Sequence, residues 1–102
     1  MAKLIALYKK PADVKAFDNY YFSRHVPLAK TITQLRRYEV NEGPVTTPDG
    51  GAPYHLAAIL TFDSMAAMQQ ALTSPEGQAT AADLANFAQA GVELLIFDSR
   101  EI

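Results

Sequence analysis

Phe17-Asp18-Asn19-Tyr20-Tyr21-Phe22-Ser23-Arg24-His25-Val26-Pro27-Leu28-Ala29 gathers aromatic side chains, one histidine and one proline into a single helical stretch. At about 100° per residue, Val14, Phe17, Tyr21 and Leu28 share one face, and His25 falls among them. Asp18 precedes His25 by one heptad, which puts the two within about 20° of each other around the axis. The helix therefore aims a titratable imidazole at whatever it packs on, with phenols and a carboxylate close by. Pro27 disfavours helical geometry at Val26, so the helix is expected to end or kink just after His25. His25 then stands at the end of an element, where a cleft can open.

Upstream, Lys3 to Lys9 reads as a strand with Ile5 and Leu7 on one face and Leu4, Ala6 and Tyr8 on the other. Both faces are apolar, so both need covering. Pro11-Ala12-Asp13 breaks this strand, and Asp13 is placed to cap the helix. Downstream, Leu35 to Glu42 forms a more polar strand. Gly43 to Pro53 carries three prolines and three glycines and reads as a long exposed loop. Tyr54 to Phe62 is again apolar on both faces. Asp63 or Ser64 then caps a helix with Met65, Met68 and Leu72 on one stripe. Ser74-Pro75-Glu76 starts a further helix through Asp83, Leu84 and Phe87, ended by Gly91, and Val92 to Phe97 is the last strand.

The order is β-α-β-β-α-β within one domain spanning residues 1–102. Two β-α-β halves of this kind predict an α+β, ferredoxin-like sandwich: an antiparallel four-stranded sheet with helices on one face. Helices cover only one face, yet three strands are apolar on both. A second copy packed sheet to sheet, in a two-fold homodimer, resolves the conflict.

Composition removes several function classes. A net charge of −2 with scattered basic residues leaves no footprint for nucleic acid or anionic membrane. The absence of cysteine excludes disulfides, thiolate chemistry and thiolate metal sites. Two histidines without metal-type spacing make a metal centre unexpected. No phosphate-binding loop, dinucleotide glycine pattern, Ser-His-Asp order or paired-carboxylate spacing occurs, so no cofactor is expected. The apolar run at the N-terminus is too short for a membrane span or signal peptide, and a cytoplasmic location is expected.

Tyr20-Tyr21 followed by His25-Val26-Pro27-Leu28 resembles the Tyr-Trp-x-x-x-His-x-Pro-Leu signature of the EthD family, small dimeric α/β-barrel proteins named for an ethyl tert-butyl ether degradation operon. The opening strand, Leu35-Arg36-Arg37-Tyr38, Ser74-Pro75-Glu76 and Asp83-Leu84-Ala85-Asn86-Phe87 extend the likeness over most of the chain. Tyr21 stands where the signature usually has tryptophan. The resemblance implies a ligand cleft between sheet and helices in which a histidine moves protons. Related barrels include isomerases, cyclases, decarboxylases and cofactor-free monooxygenases.

His25 is accordingly the catalytic candidate, because an imidazole titrates near neutrality and can shuttle a proton to or from an enolisable or lactone-like substrate. Tyr8, Tyr21 and Tyr38 are the substrate-binding candidates, as phenols able to orient His25 or donate to an oxyanion. The bland reading of His25 is a buried imidazole tying the helix end to the sheet. Asp18 reads as a solvated helix residue, His55 as a strand-end residue, and Arg24, Arg36 and Arg37 as solvated or ion-paired. Asp83 and Asn86 read as fixing the helix–sheet junction. The function expected is cofactor-independent acid/base chemistry on a small hydrophobic catabolite. The alternative is a non-catalytic ligand-binding or accessory protein.

Overall fold

The strand that opens the chain is held on both sides. In the computed structural model, which describes residues 1–102, β1 (Ala2–Lys9) lies between β5 (Tyr54–Phe62) and β6 (Val92–Asp98), and β2 (Arg37–Val40) borders β5. All three pairings are antiparallel, so the sheet order is β2-β5-β1-β6. Two crossovers of the β-α-β type give this order, and the expected α+β sandwich is the observed one. A two-residue ladder, β3 (Thr46–Thr47) with β4 (Gly50–Gly51), closes the tip of the loop after β2. Gly50 turns there at φ 137°, in a region open to glycine.

The helices start where their caps dictate. Asp13 accepts a bond from the Ala16 amide at the head of α1 (Val14–Tyr20), and Ser64 accepts one from Ala67 at the head of α3 (Met65–Thr73). Ser74, in extended conformation, ends α3 and caps α4 (Pro75–Asp83) through the Gly77 amide, with Pro75 in the first turn. A 3-10 turn (Leu84–Asn86) follows. The helical segment thus stops well before Gly91, the expected terminator, which instead turns at φ 115° into β6.

Pro27 does not end the first helix. After α1 the chain widens into a π turn (Tyr21–His25), where the Val26 amide bonds the Tyr21 carbonyl five residues back, and continues as α2 (Val26–Ala29). A widened turn displaces the carbonyls that a proline ring strikes in a regular helix, so Val26 keeps helical angles before Pro27. The same turn corrects the buried face. Phe17, Tyr21, His25 and Ala29 are the buried residues, spaced by four, whereas Val14 is 47% exposed. In a straight α-helix each four-residue step drifts by about 40°, and the wider turn takes up that drift.

The core sits between helices and sheet. Ala2, Ala6, Tyr8, Leu56, Ala58, Leu60 and Phe62 meet Phe17, Tyr21, Met68 and Phe87 from the other layer. On the opposite sheet face, Ile5, Leu7, Ala57 and Ile59 are half-buried by their neighbours, and Leu95 and Phe97 are about half exposed (50% and 47%). Strand β6 is also uncovered on the helix side, at Leu94 and Ile96, because the helices do not reach over it.

Candidate functional site

A cavity of about 190 Å³ opens between the helices and the sheet, lined by Leu4, Ala6 and Tyr8 of β1, Tyr38 of β2, Ala58 and Leu60 of β5 and Leu94 and Ile96 of β6. The helical layer contributes His25, Ala29, Leu72, Gly77, Thr80, Ala81 and Leu84. Half-exposed Leu94 and Ile96 form its open side. Of the residues expected at the site, His25, Tyr8 and Tyr38 come together here. Tyr21 does not line the cavity: it is fully buried behind it, its hydroxyl 2.5 Å from that of Tyr38.

His25 is buried, and its Nδ1 lies 2.9 Å from Oδ2 of Asp83. The other carboxylate oxygen of Asp83 accepts from the Tyr20 hydroxyl at 2.6 Å and from Nδ2 of Asn86 at 2.9 Å. Asp83 is therefore held from three directions, and it holds the imidazole in turn. Because a carboxylate only accepts, Nδ1 carries the hydrogen, and the lone pair of the neutral ring lies at Nε2. Nε2 and the Tyr8 hydroxyl bond no protein group, and no buried side-chain polar atom is left without a partner. Both atoms are therefore accessible, and both belong to residues that line the cavity.

The electrostatics favour a neutral imidazole. Burial pushes the His25 imidazole below its usual range, against the opposing pull of the Asp83 carboxylate. Burial alone would raise Asp83, but hydrogen bonds from Tyr20, Asn86 and His25 outweigh it and hold the carboxyl below its ordinary value. Desolvation raises Tyr8, Tyr21 and Tyr38, so all three phenols stay protonated and remain donors at neutral pH.

Asp18 does not pair with His25. Its Oδ1 lies 2.7 Å from Nε2 of His55, which rests edge-on against Phe17. His55 is thus hydrogen-bonded to the first helix rather than a plain strand-end residue. Arg36 bonds Asp63 through two nitrogens at the surface, as an ion-paired arginine. Asp83 is the partner that the helix geometry around His25 did not identify. The signal available was the Asp83–Asn86 spacing, which puts the two polar side chains within bonding reach of each other on one side of the helix end.

The comparisons with known proteins agree with this architecture. Residues 9–91 match the EthD domain. A protein of Rhodococcus erythropolis, described as an uncharacterized 11.0 kDa protein in the thcB-thcC intergenic region, is 43% identical over 103 residues, covering 100% of this chain and 98% of its own. The crystal structure of an EthD family protein from Bacillus halodurans superposes with a TM-score of 0.89 at 37% identity, covering 98% of this chain and 99% of that one. A dimeric protein of ferredoxin-like fold from Bacteroides fragilis shares the fold at a TM-score of 0.65 and 23% identity, over 96% and 95% of the two chains. The signature around His25, the sheet order and these matches lead to one assignment: the chain belongs to the EthD family.

Proposed function

We propose that the protein binds a small hydrophobic molecule in the cavity at His25 and moves a proton on it without a cofactor. The observation that carries this reading is the orientation of His25: Nδ1 is held by Asp83 while Nε2 is left accessible on the ring that lines an apolar cavity. In the proposed step, the Nε2 lone pair takes a proton from a carbon next to a carbonyl or lactone group. The imidazolium so formed is stabilised by Asp83, and the developing oxyanion accepts hydrogen bonds from Tyr8 and Tyr38. When Tyr21 donates to Tyr38, the hydrogen of Tyr38 is free for the substrate. Tyr21 then acts as a positioning residue rather than a contact.

The protein as proposed is a cytoplasmic homodimer of single-domain protomers, joined through the open sheet faces into a dimeric α/β barrel. Ile5, Leu7, Ile59, Leu95 and Phe97 supply the apolar centre of that face, with Lys3, Arg37, Glu39 and Glu93 around it. The cavity volume favours a second reading. At about 190 Å³ it is smaller than the roughly 300–1,000 Å³ of common ligand sites, which favours a non-catalytic accessory protein over an enzyme with a large substrate. Deuterium exchange into an enolisable ketone separates the two. The catalytic reading expects exchange that wild type accelerates and His25→Gln does not; equal exchange by both proteins would refute it.

A further inference from the structure

Which molecules the cavity accepts follows from one rung of the sheet. Ala6 is paired with Ala58 on one side and with Leu94 on the other. In the parallel row two residues away, Leu4 stands between Leu60 and Ile96. All six residues line the cavity. Large side chains fill the second row; over the first, two methyl groups leave the space open. Ala6 and Ala58 are 3% and 1% exposed, so the space above them is interior.

The lining also selects on charge. Its polar side chains are His25, Thr80 and the phenols Tyr8 and Tyr38, and it includes no lysine, arginine, aspartate or glutamate. An anion placed there would lose its water without gaining a cation, and Asp83 behind the imidazole would repel it. For size, an apolar cavity of about 150 Å³ is known to hold benzene. The 190 Å³ here leaves room for a ring and a small substituent.

We infer that the cavity takes an uncharged organic molecule of about single-ring size with one oxygen acceptor, and that Ala6 and Ala58 set its upper size. The part played by His25 rests on the proton chemistry proposed above; the size and charge limits do not. The probes are cyclohexanone, neutral and enolisable, and cyclopentanecarboxylate, an anion of similar size, with binding followed by ligand-detected NMR on the full chain at neutral pH. Wild type is expected to bind the ketone about tenfold or more tighter than the carboxylate. Ala58→Leu adds three carbons, roughly 90 Å³ if each takes the volume of a water molecule, and so fills about half of the cavity. It is expected to lose about tenfold or more in ketone affinity. Ala58→Val, with two added carbons, is expected to show a smaller loss and covers the case in which the leucine variant fails to fold.

Equal binding of ketone and carboxylate, unchanged affinity in the folded variants, or no ketone binding by wild type at millimolar concentration would each overturn the inference. Ketone binding without His25-dependent exchange of its α-protons supports the inference and refutes the proposed proton chemistry, so the two fail separately.

Discussion

Replacing Asp83 by asparagine tests the site at its most constrained atom. The carboxylate accepts from Tyr20 and Asn86 on one oxygen and from His25 on the other. An amide has a single acceptor oxygen. With that oxygen turned to Tyr20 and Asn86 two bonds survive, and the amide N–H then faces Nδ1 of His25. The imidazole can satisfy that donor by moving its own hydrogen to Nε2, so all three contacts persist with one reversed. The opposite orientation sets the amide nitrogen against the Asn86 amide nitrogen, donor against donor, and is disfavoured.

Asp83→Asn should therefore fold, losing about 1–2 kcal/mol as charge-assisted bonds become neutral ones. The lone pair, however, no longer lies on Nε2, the accessible nitrogen. A histidine base held in the wrong tautomer loses roughly three to four orders of magnitude in rate, and His25-dependent ketone exchange should fall accordingly. Nitrogen-15 shifts of the imidazole report the tautomer directly, and urea unfolding reports the stability. A variant that keeps its hydrogen on Nδ1, or that loses more than about 3 kcal/mol, would refute the reasoning.

Three further outcomes follow from the same structure. His25 is held neutral by burial, so its folded pKa lies below its unfolded one and the unfolded chain binds the extra proton; stability should fall as pH drops from about 6.5 towards the folded value, and His25→Gln should flatten urea midpoints across that window. A Cβ on Gly77 would collide with the Ala71 carbonyl oxygen and stand 2.6 Å from that of Leu72, both backbone atoms, so Gly77→Ala should cost about 3 kcal/mol or more, read as a lowered thermal midpoint. Leu95 is half exposed on the open sheet face; under the proposed sheet-to-sheet dimer, light scattering should give a dimeric mass for wild type and a monomeric one for Leu95→Glu, and a dimeric variant would place the interface elsewhere.

Most of the fold was legible in local pattern. Lys3–Lys9 and Tyr54–Phe62 carry apolar residues on both faces, which favours the centre of a sheet; they are β1 and β5, each with a strand on both sides. The Asp63-Ser64 and Ser74-Pro75 pairs marked helix starts through cap chemistry that acts within one turn, with Ser64 the cap at the first. The site was legible only in part. His25, Tyr8 and Tyr38 were recognisable as residue types, but the partner of His25 lies 58 residues away in Asp83, at a junction set by tertiary packing. Asp18 is near His25 on a regular helix, and the π turn removes that regularity. Asp18 instead meets His55, 37 residues on. Tyr20, the less buried member of the tyrosine pair, reaches Asp83, while Tyr21 is taken into the core. Composition carries no sign of where a helix will widen.

The widened turn at Tyr21–His25 also changes what kinds of genetic change the site can absorb. A π turn is an α-helix carrying one residue more than regular winding would hold. Deleting a residue there would restore regular winding and leave the flanking segments in register, because the wide turn already absorbs the extra residue. Two relatives with the same tyrosine and histidine, but differing by one residue between them, can thus present the same face, one through a π turn and the other through a regular helix. Substitution scanning samples the walls of the cavity, whereas a single-residue deletion samples the wide turn on which its histidine stands.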